Sequence, residues 1–139
     1  MHISEVKIRV RYGETDAMGI VYHGAYLPFL EEAREAFVEE AGMKYIEMEE
    51  AGYVSPVLDV QISYKHPAKY GDTLTVKVWL EENSLVRTTY GYEVYNKNGN
   101  LCLTAFTKHS VVRKDNFKPV SIKKVFPELY AEYERRKKQ

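Results

Sequence analysis

A single cysteine, Cys102, stands among 139 residues, so no internal disulfide can form and stability must come from packing and hydrogen bonds. It lies in the strand-like run Leu101 to Val112, where a lone thiol is ordinary core material. No eighteen consecutive apolar residues occur, which excludes a transmembrane helix. The opening Met1-His2-Ile3-Ser4-Glu5 lacks the basic region and apolar run of a secretory leader. A cytoplasmic protein without membrane insertion is the expectation. Charge of one sign is missing too: twenty basic and twenty acidic residues cancel to a formal net charge of zero. Without a basic field there is no long-range attraction to nucleic acid or an anionic bilayer, and neither is an expected partner. No Gly-x-Ser-x-Gly elbow, phosphate-binding glycine loop or dinucleotide fingerprint is found, which removes the usual support for serine-hydrolase and nucleotide chemistry. The four histidines, His2, His23, His66 and His109, are scattered without metal-ligand spacing, and no metal is expected.

What is present fits one domain over residues 1–139, with 45% hydrophobic residues and no repeats or linkers. Val6, Ile8, Val10 and Tyr12 alternate with Lys7, Arg9 and Arg11, which predicts a half-buried strand from Ile3 to Tyr12. After a polar loop, Gly13 to Gly24, the period changes. Tyr26, Phe29, Leu30, Ala33 and Phe37 share one face at helical spacing, with Pro28 in the first turn and Gly42 past the end. Glu31, Glu32, Arg34, Glu35 and Glu39 are expected to face water or pair along this long helix. A shorter helix, Tyr45 to Ala51, stops at Gly52. Four more strands follow, carried by Leu58, Val60, Ile62 and Tyr64, by Leu74, Val76, Val78 and Leu80, by Thr88, Tyr90, Tyr92 and Val94, and by Leu101 to Val112. Asn98-Gly99 predicts a hairpin between the last two. Gly91 marks a bulge or a close backbone approach, and Trp79 is read as packing. The segment 121–139 reads as a C-terminal helical extension on the surface, entered at Pro127 and ending in a solvated tail, Arg135 to Lys138.

This order describes an α+β domain in which a five-stranded antiparallel sheet wraps one long central helix, with a short C-terminal helix added. One helix cannot cover all the apolar surface of such a sheet, so at least a homodimer is expected, with a homotetramer the alternative.

The distinctive segment is Arg11-Tyr12-Gly13-Glu14-Thr15-Asp16-Ala17-Met18-Gly19-Ile20-Val21-Tyr22-His23-Gly24-Ala25-Tyr26, between the first strand and the long helix. Free N–H groups at the helix start converge there with polar side chains. A purely structural role is also open to it, because Thr15-Asp16 could cap a short turn and His23 could fill the loop.

Asp16, Gly19, Val21, Tyr26 and the pair Ala33-Arg34 closely resemble the signature of the 4-hydroxybenzoyl-CoA thioesterase family of hot-dog proteins. Thr15-Asp16 and Tyr22-His23 are most similar to its branch of acyl-CoA thioesterases associated with the bacterial Tol-Pal system. The motif covers about Val10 to Phe37, and the strand order extends the likeness to about Arg113. The resemblance implies a hot-dog fold and hydrolysis of an acyl-CoA to the free acid and coenzyme A, with no cofactor beyond the coenzyme A of the substrate. It implies Asp16 as the catalytic carboxylate, either nucleophile on the thioester carbon or general base on water. It also implies the backbone N–H of His23 as oxyanion donor, with the His23 imidazole orienting substrate or water or simply packing. The candidate substrate-binding residues are Tyr22, Gly24 and Tyr26 beside it, with Lys65 and Arg87. Those two cations, with Lys69, Arg113 and Lys114, lie near predicted strand ends, where they could meet phosphates or merely blunt exposed edges. Where the enzyme specific for 4-hydroxybenzoyl groups has an aromatic residue this chain has His23, which argues against the same aromatic substrate.

Other readings stay open beside hydrolysis of acyl-CoA. An acyl-carrier protein could present the acyl group. A hot-dog dehydratase or hydratase would need a histidine and an acidic partner from facing subunits, and a non-catalytic acyl-carrier or envelope-associated module would bind without turnover. Glu31, Glu32 and Glu35 invite comparison with hot-dog enzymes that use a helix glutamate, although pairing on the surface explains them more simply.

Overall fold

The computed structural model describes residues 1–139, and its elements run β1 (Ile3–Arg9), α1 (Tyr26–Glu40), α2 (Tyr45–Glu50), β2 (Tyr53–Val54), β3 (Val57–Tyr64), β4 (Thr73–Asn83), β5 (Thr88–Tyr95), β6 (Leu101–His109), β7 (Val112–Arg113), α3 (Ile122–Val125) and α4 (Pro127–Arg136). Five strands form one antiparallel sheet in the order β1-β4-β5-β6-β3, and β2 pairs with β7 in a small ribbon. Alternation decides which face is buried. Val76, Val94 and Leu103 sit in one cross-strand row and Val78, Tyr92 and Ala105 in the next, all against α1. On α1 the helical spacing buries Tyr26, Phe29, Leu30, Ala33 and Phe37 against them. On the outer face the Trp79 ring lies over Gly91, where an added Cβ would stand 2.5 Å from it. Gly91 is therefore a close approach.

Four expectations are corrected. β1 ends at Arg9 and does not reach Tyr12, because the Val10 N–H turns to the Asp72 carbonyl and the Glu14 carboxylate binds both the Arg11 N–H (2.8 Å) and its guanidinium (2.6 Å), closing a short turn. Arg34 keeps the expected pairing along the helix, with Glu31 at 4.0 Å, but it does not face water. It is 7% exposed and donates to the Tyr92 hydroxyl at 3.2 Å, within a buried chain that continues from Tyr92 to Thr107 (2.5 Å) and from Thr107 to His109 (2.8 Å). Position 34 follows Ala33 on the core side of the helix, and those hydroxyls supply partners that a hydrophobic pattern does not reveal. The C-terminal helix is likewise more than a surface element. α4 buries Leu129 and Tyr133, whose hydroxyl meets that of Tyr90 at 2.6 Å, because its apolar side joins the core beside Phe37 of α1, with the Phe37 and Tyr133 rings 5.6 Å apart. Nor is the charged tail free, since the Lys138 N–H reaches the Leu80 carbonyl (2.8 Å) and its ammonium reaches Glu81 (3.0 Å).

The apolar residues of β3 are the ones left over. β3 is an edge strand, and Val57, Leu58, Val60 and Tyr64 are 41–51% exposed. No helix is long and apolar enough to cross a membrane.

Candidate active site

The loop between β1 and α1 folds back on itself before the helix begins. Thr15 bridges Val21, the Asp16 N–H binds the Ile20 carbonyl (2.9 Å), and the Gly19 N–H binds the Asp16 carbonyl (2.9 Å). This is a tight turn, and Gly19 closes it at φ +80°, where a side chain would be strained. One carboxylate oxygen of Asp16 accepts the Met18 N–H at 2.9 Å, so the structural role open to Asp16 is filled. The other oxygen has no hydrogen bond within the chain, which leaves it available to a substrate.

The next residues are anchored from two sides. The Val21 N–H goes to the Ala68 carbonyl and the Tyr22 N–H to the Glu14 carbonyl, both at 2.8 Å. His23–Ala25 then form a 3-10 turn that runs directly into α1. No side chain caps either start. The Ala25 N–H is taken by the Tyr22 carbonyl, whereas those of His23 and Gly24 have no acceptor among the turn and loop bonds. They stand at the positive end of the helix, facing the side from which an anion is stabilised.

Asp16, His23, Tyr26 and Lys65 come together in one cleft of about 350 Å³, where Tyr64, His66 and Cys102 join them. Tyr64, the last residue of β3, donates its hydroxyl hydrogen to the His23 carbonyl at 2.9 Å and packs against Tyr26. Burial pushes the Tyr26 phenol up to about 12 and raises the Cys102 thiol, so neither supplies an anion near neutral pH. The carboxylate of Asp16 and the ammonium of Lys65 are the acidic and basic side chains that share the cleft.

Not every candidate arrives there. Tyr22 stays half-exposed with its ring 4.3 Å from that of His23, and it lies over Gly24, where a Cβ would stand 2.9 Å from the ring and push it aside. Neither lines the cleft. Arg87 lies at the opposite end of the sheet, in a polar cleft with Lys108, Lys137 and Lys138. Arg113 is paired with Asp115 at 2.8 Å. Glu31 and Glu35 line a different cleft, beside Arg34, Tyr45 and Tyr53. No group of three His, Cys, Asp or Glu side chains is placed to hold a metal ion. Tyr64 was not identified as a site residue from the sequence, where it reads as one more apolar position of an alternating strand; only its place at the strand end beside Lys65 hinted otherwise.

Comparison with known proteins identifies the family. The thioesterase-like superfamily matches residues 10–129. A putative acyl-CoA thioesterase of Bacillus subtilis, YneP, is 46% identical over 138 residues, covering 99% of this chain and all of the relative. The acyl-CoA thioesterase YbgC of Helicobacter pylori is 28% identical over 132 residues, covering 89% of this chain and 97% of that one. Among solved structures, a DHNA-CoA thioesterase from Staphylococcus aureus superposes with a TM-score of 0.95 at 37% identity, covering 97% of this chain and 91% of the other. Fold, motif and near full-length likeness coincide, and the chain belongs to the thioesterase-like superfamily as a thioester hydrolase of the hot-dog fold.

Proposed function

We propose that this protein hydrolyses acyl-CoA thioesters with Asp16 as its catalytic carboxylate. The observation that carries the reading is the free carboxylate oxygen of Asp16 in the same cleft as His23, whose unpaired N–H opens the helical run. The thioester carbonyl oxygen sits against the His23 N–H, and negative charge developing on it is met by that donor and the helix dipole. Asp16 attacks the carbonyl carbon, or takes a proton from the water that does. The C–S bond breaks and coenzyme A leaves as its thiolate. In the first route the acid is released when water opens the mixed anhydride; in the second it forms directly. Tyr26 walls the acyl end, and Lys65 at the mouth suits the phosphates of coenzyme A.

A homodimer completes this reading. A two-fold axis pairing the β3 edges antiparallel would cover the exposed Val57, Leu58, Val60 and Tyr64 and satisfy the edge backbone. It would also carry the β3 start of one subunit to the β3 end of the other, about 25 Å along an eight-residue strand at roughly 3.3 Å per residue. Arg87 shares the end of the sheet where Thr88, His109 and Val57 pair in one row, so such a dimer would bring Arg87 of the partner subunit toward the Asp16 cleft.

The test is thiol release from a panel of short, long and aromatic acyl-CoA esters by wild type and Asp16→Asn. A loss of about a hundredfold or more in the folded variant is expected. Unchanged turnover would remove Asp16 from the chemistry, and no turnover on any ester would leave a binding module.

A further inference from the structure

The helical run that begins at His23 lacks the side-chain cap that normally holds such a start in place. Its position is set from outside instead. On the near side the Tyr22 N–H is tied to the Glu14 carbonyl at 2.8 Å; on the far side the only side chain bonded to this first turn is that of Tyr64, through the His23 carbonyl at 2.9 Å. The His23 N–H lies between these two ties. Peptide planarity couples the His23 carbonyl rigidly to the Gly24 N–H, so a donor on that carbonyl also fixes where the second free N–H points. It polarises the same amide as well, which strengthens the Gly24 N–H as a donor.

Tyr64 suits this work by its own placement. It closes β3 in register with Leu103 of the core, and its ring rests against Tyr26 with centroids 5.9 Å apart. Its hydroxyl therefore comes from the sheet and holds the start of a helix belonging to the other layer. Phenylalanine would keep the strand, the register and the ring contact and lose only the hydroxyl.

We infer that Tyr64 is a positioning residue for catalysis, its hydroxyl bond to the His23 carbonyl holding the first turn so that the backbone N–H of His23 keeps the geometry that stabilises the thioester oxyanion. It touches no reacting atom. The inference rests on the proposed thioesterase reading and adds to it the residue that organises its donor. Removing an oxyanion donor outright lowers kcat by about 10²–10³. Loosening the donor without removing it should cost less, roughly tenfold.

The experiment is Tyr64→Phe in the full chain, assayed on the acyl-CoA that the wild type turns over fastest, beside Asp16→Asn and with melting temperature checked. Affinity for the thioether S-hexyl-CoA is measured in parallel, because that probe has the coenzyme A arm but no carbonyl oxygen. The expected result is a kcat lower by about tenfold, KM within twofold, and unchanged thioether affinity. A kcat within twofold of wild type, with Asp16→Asn inactive, overturns the role of Tyr64 and leaves the thioesterase reading standing. Equal losses in kcat and thioether affinity also overturn it, since they mean general damage to the cleft. Wild-type protein that hydrolyses no thioester, or Asp16→Asn as active as wild type, overturns the thioesterase reading and the inference built on it.

Discussion

Asp16 fills a structural role and still keeps an oxygen for the chemistry proposed for it. Its first oxygen closes a turn on the Met18 N–H and its second is left open, so the capping that argued for a bland role is what aims the free oxygen. His109 is the opposite case, a histidine whose surroundings remove it from chemistry. Burial first, and the Arg34 charge second, push it down to about 3, so it is neutral in the folded protein and holds its bond to Thr107 in that form. In the unfolded chain it titrates near its ordinary value of 6.5. Between these values the unfolded state binds the extra proton, so stability rises with pH and is lost on acidification from about 6.5 toward 3. The full loss is on the order of 5 kcal/mol. Urea midpoints between pH 7 and pH 4 should fall for the wild type and flatten for His109→Gln, after allowing for its lower starting stability. Equal slopes would mean another group dominates.

At the level of elements, α4 takes the place that a longer central helix would have filled. It is held by packing of Leu129 and Tyr133 and by one buried hydroxyl pair, Tyr90 with Tyr133 at 2.6 Å. Burial raises both phenols, so the pair stays un-ionised through the physiological range. Tyr133→Phe leaves the Tyr90 hydroxyl buried without this partner and should destabilise by about 1–3 kcal/mol. The double variant Tyr90→Phe with Tyr133→Phe leaves no orphan, and its cost should fall short of the two single costs added together. Chemical denaturation of the four proteins measures this directly; strict additivity would mean that water already serves the hydroxyls.

For the whole molecule, the exposed β3 edge is the feature that a single chain does not resolve. Four of its eight residues are large, apolar and at least 41% exposed, while the other strands bury their inner faces. Val60→Glu places a charge in that strip and should shift the proposed dimer toward monomer in sedimentation velocity. Thioesterase activity should then fall in proportion to dimer and recover as protein concentration is raised. A monomeric variant with full activity would show that each chain works alone.

The sequence by itself determined the α+β class, the order of the five main strands and the long helix, and the place of Asp16, because these depend on local periodicity and on a motif contiguous in the chain; the ribbon of β2 with β7, which ends the expected strand Leu101 to Val112 at His109, depends on a pairing that periodicity does not show. Even Gly91 was marked, since a glycine in a strand has few reasons to be there. The partners that meet across the fold were decided only by tertiary structure. Arg34 went inward because Tyr92, fifty-eight positions away, waits with a hydroxyl. Tyr64 reached His23, forty-one positions earlier, because β3 ends beside the start of α1. Arg87 and Lys65, alike as strand-end cations, were sent to opposite ends of the sheet by strand direction alone. A pattern of period two says which way a side chain points from its strand; which group it meets there depends on how the strands are ordered.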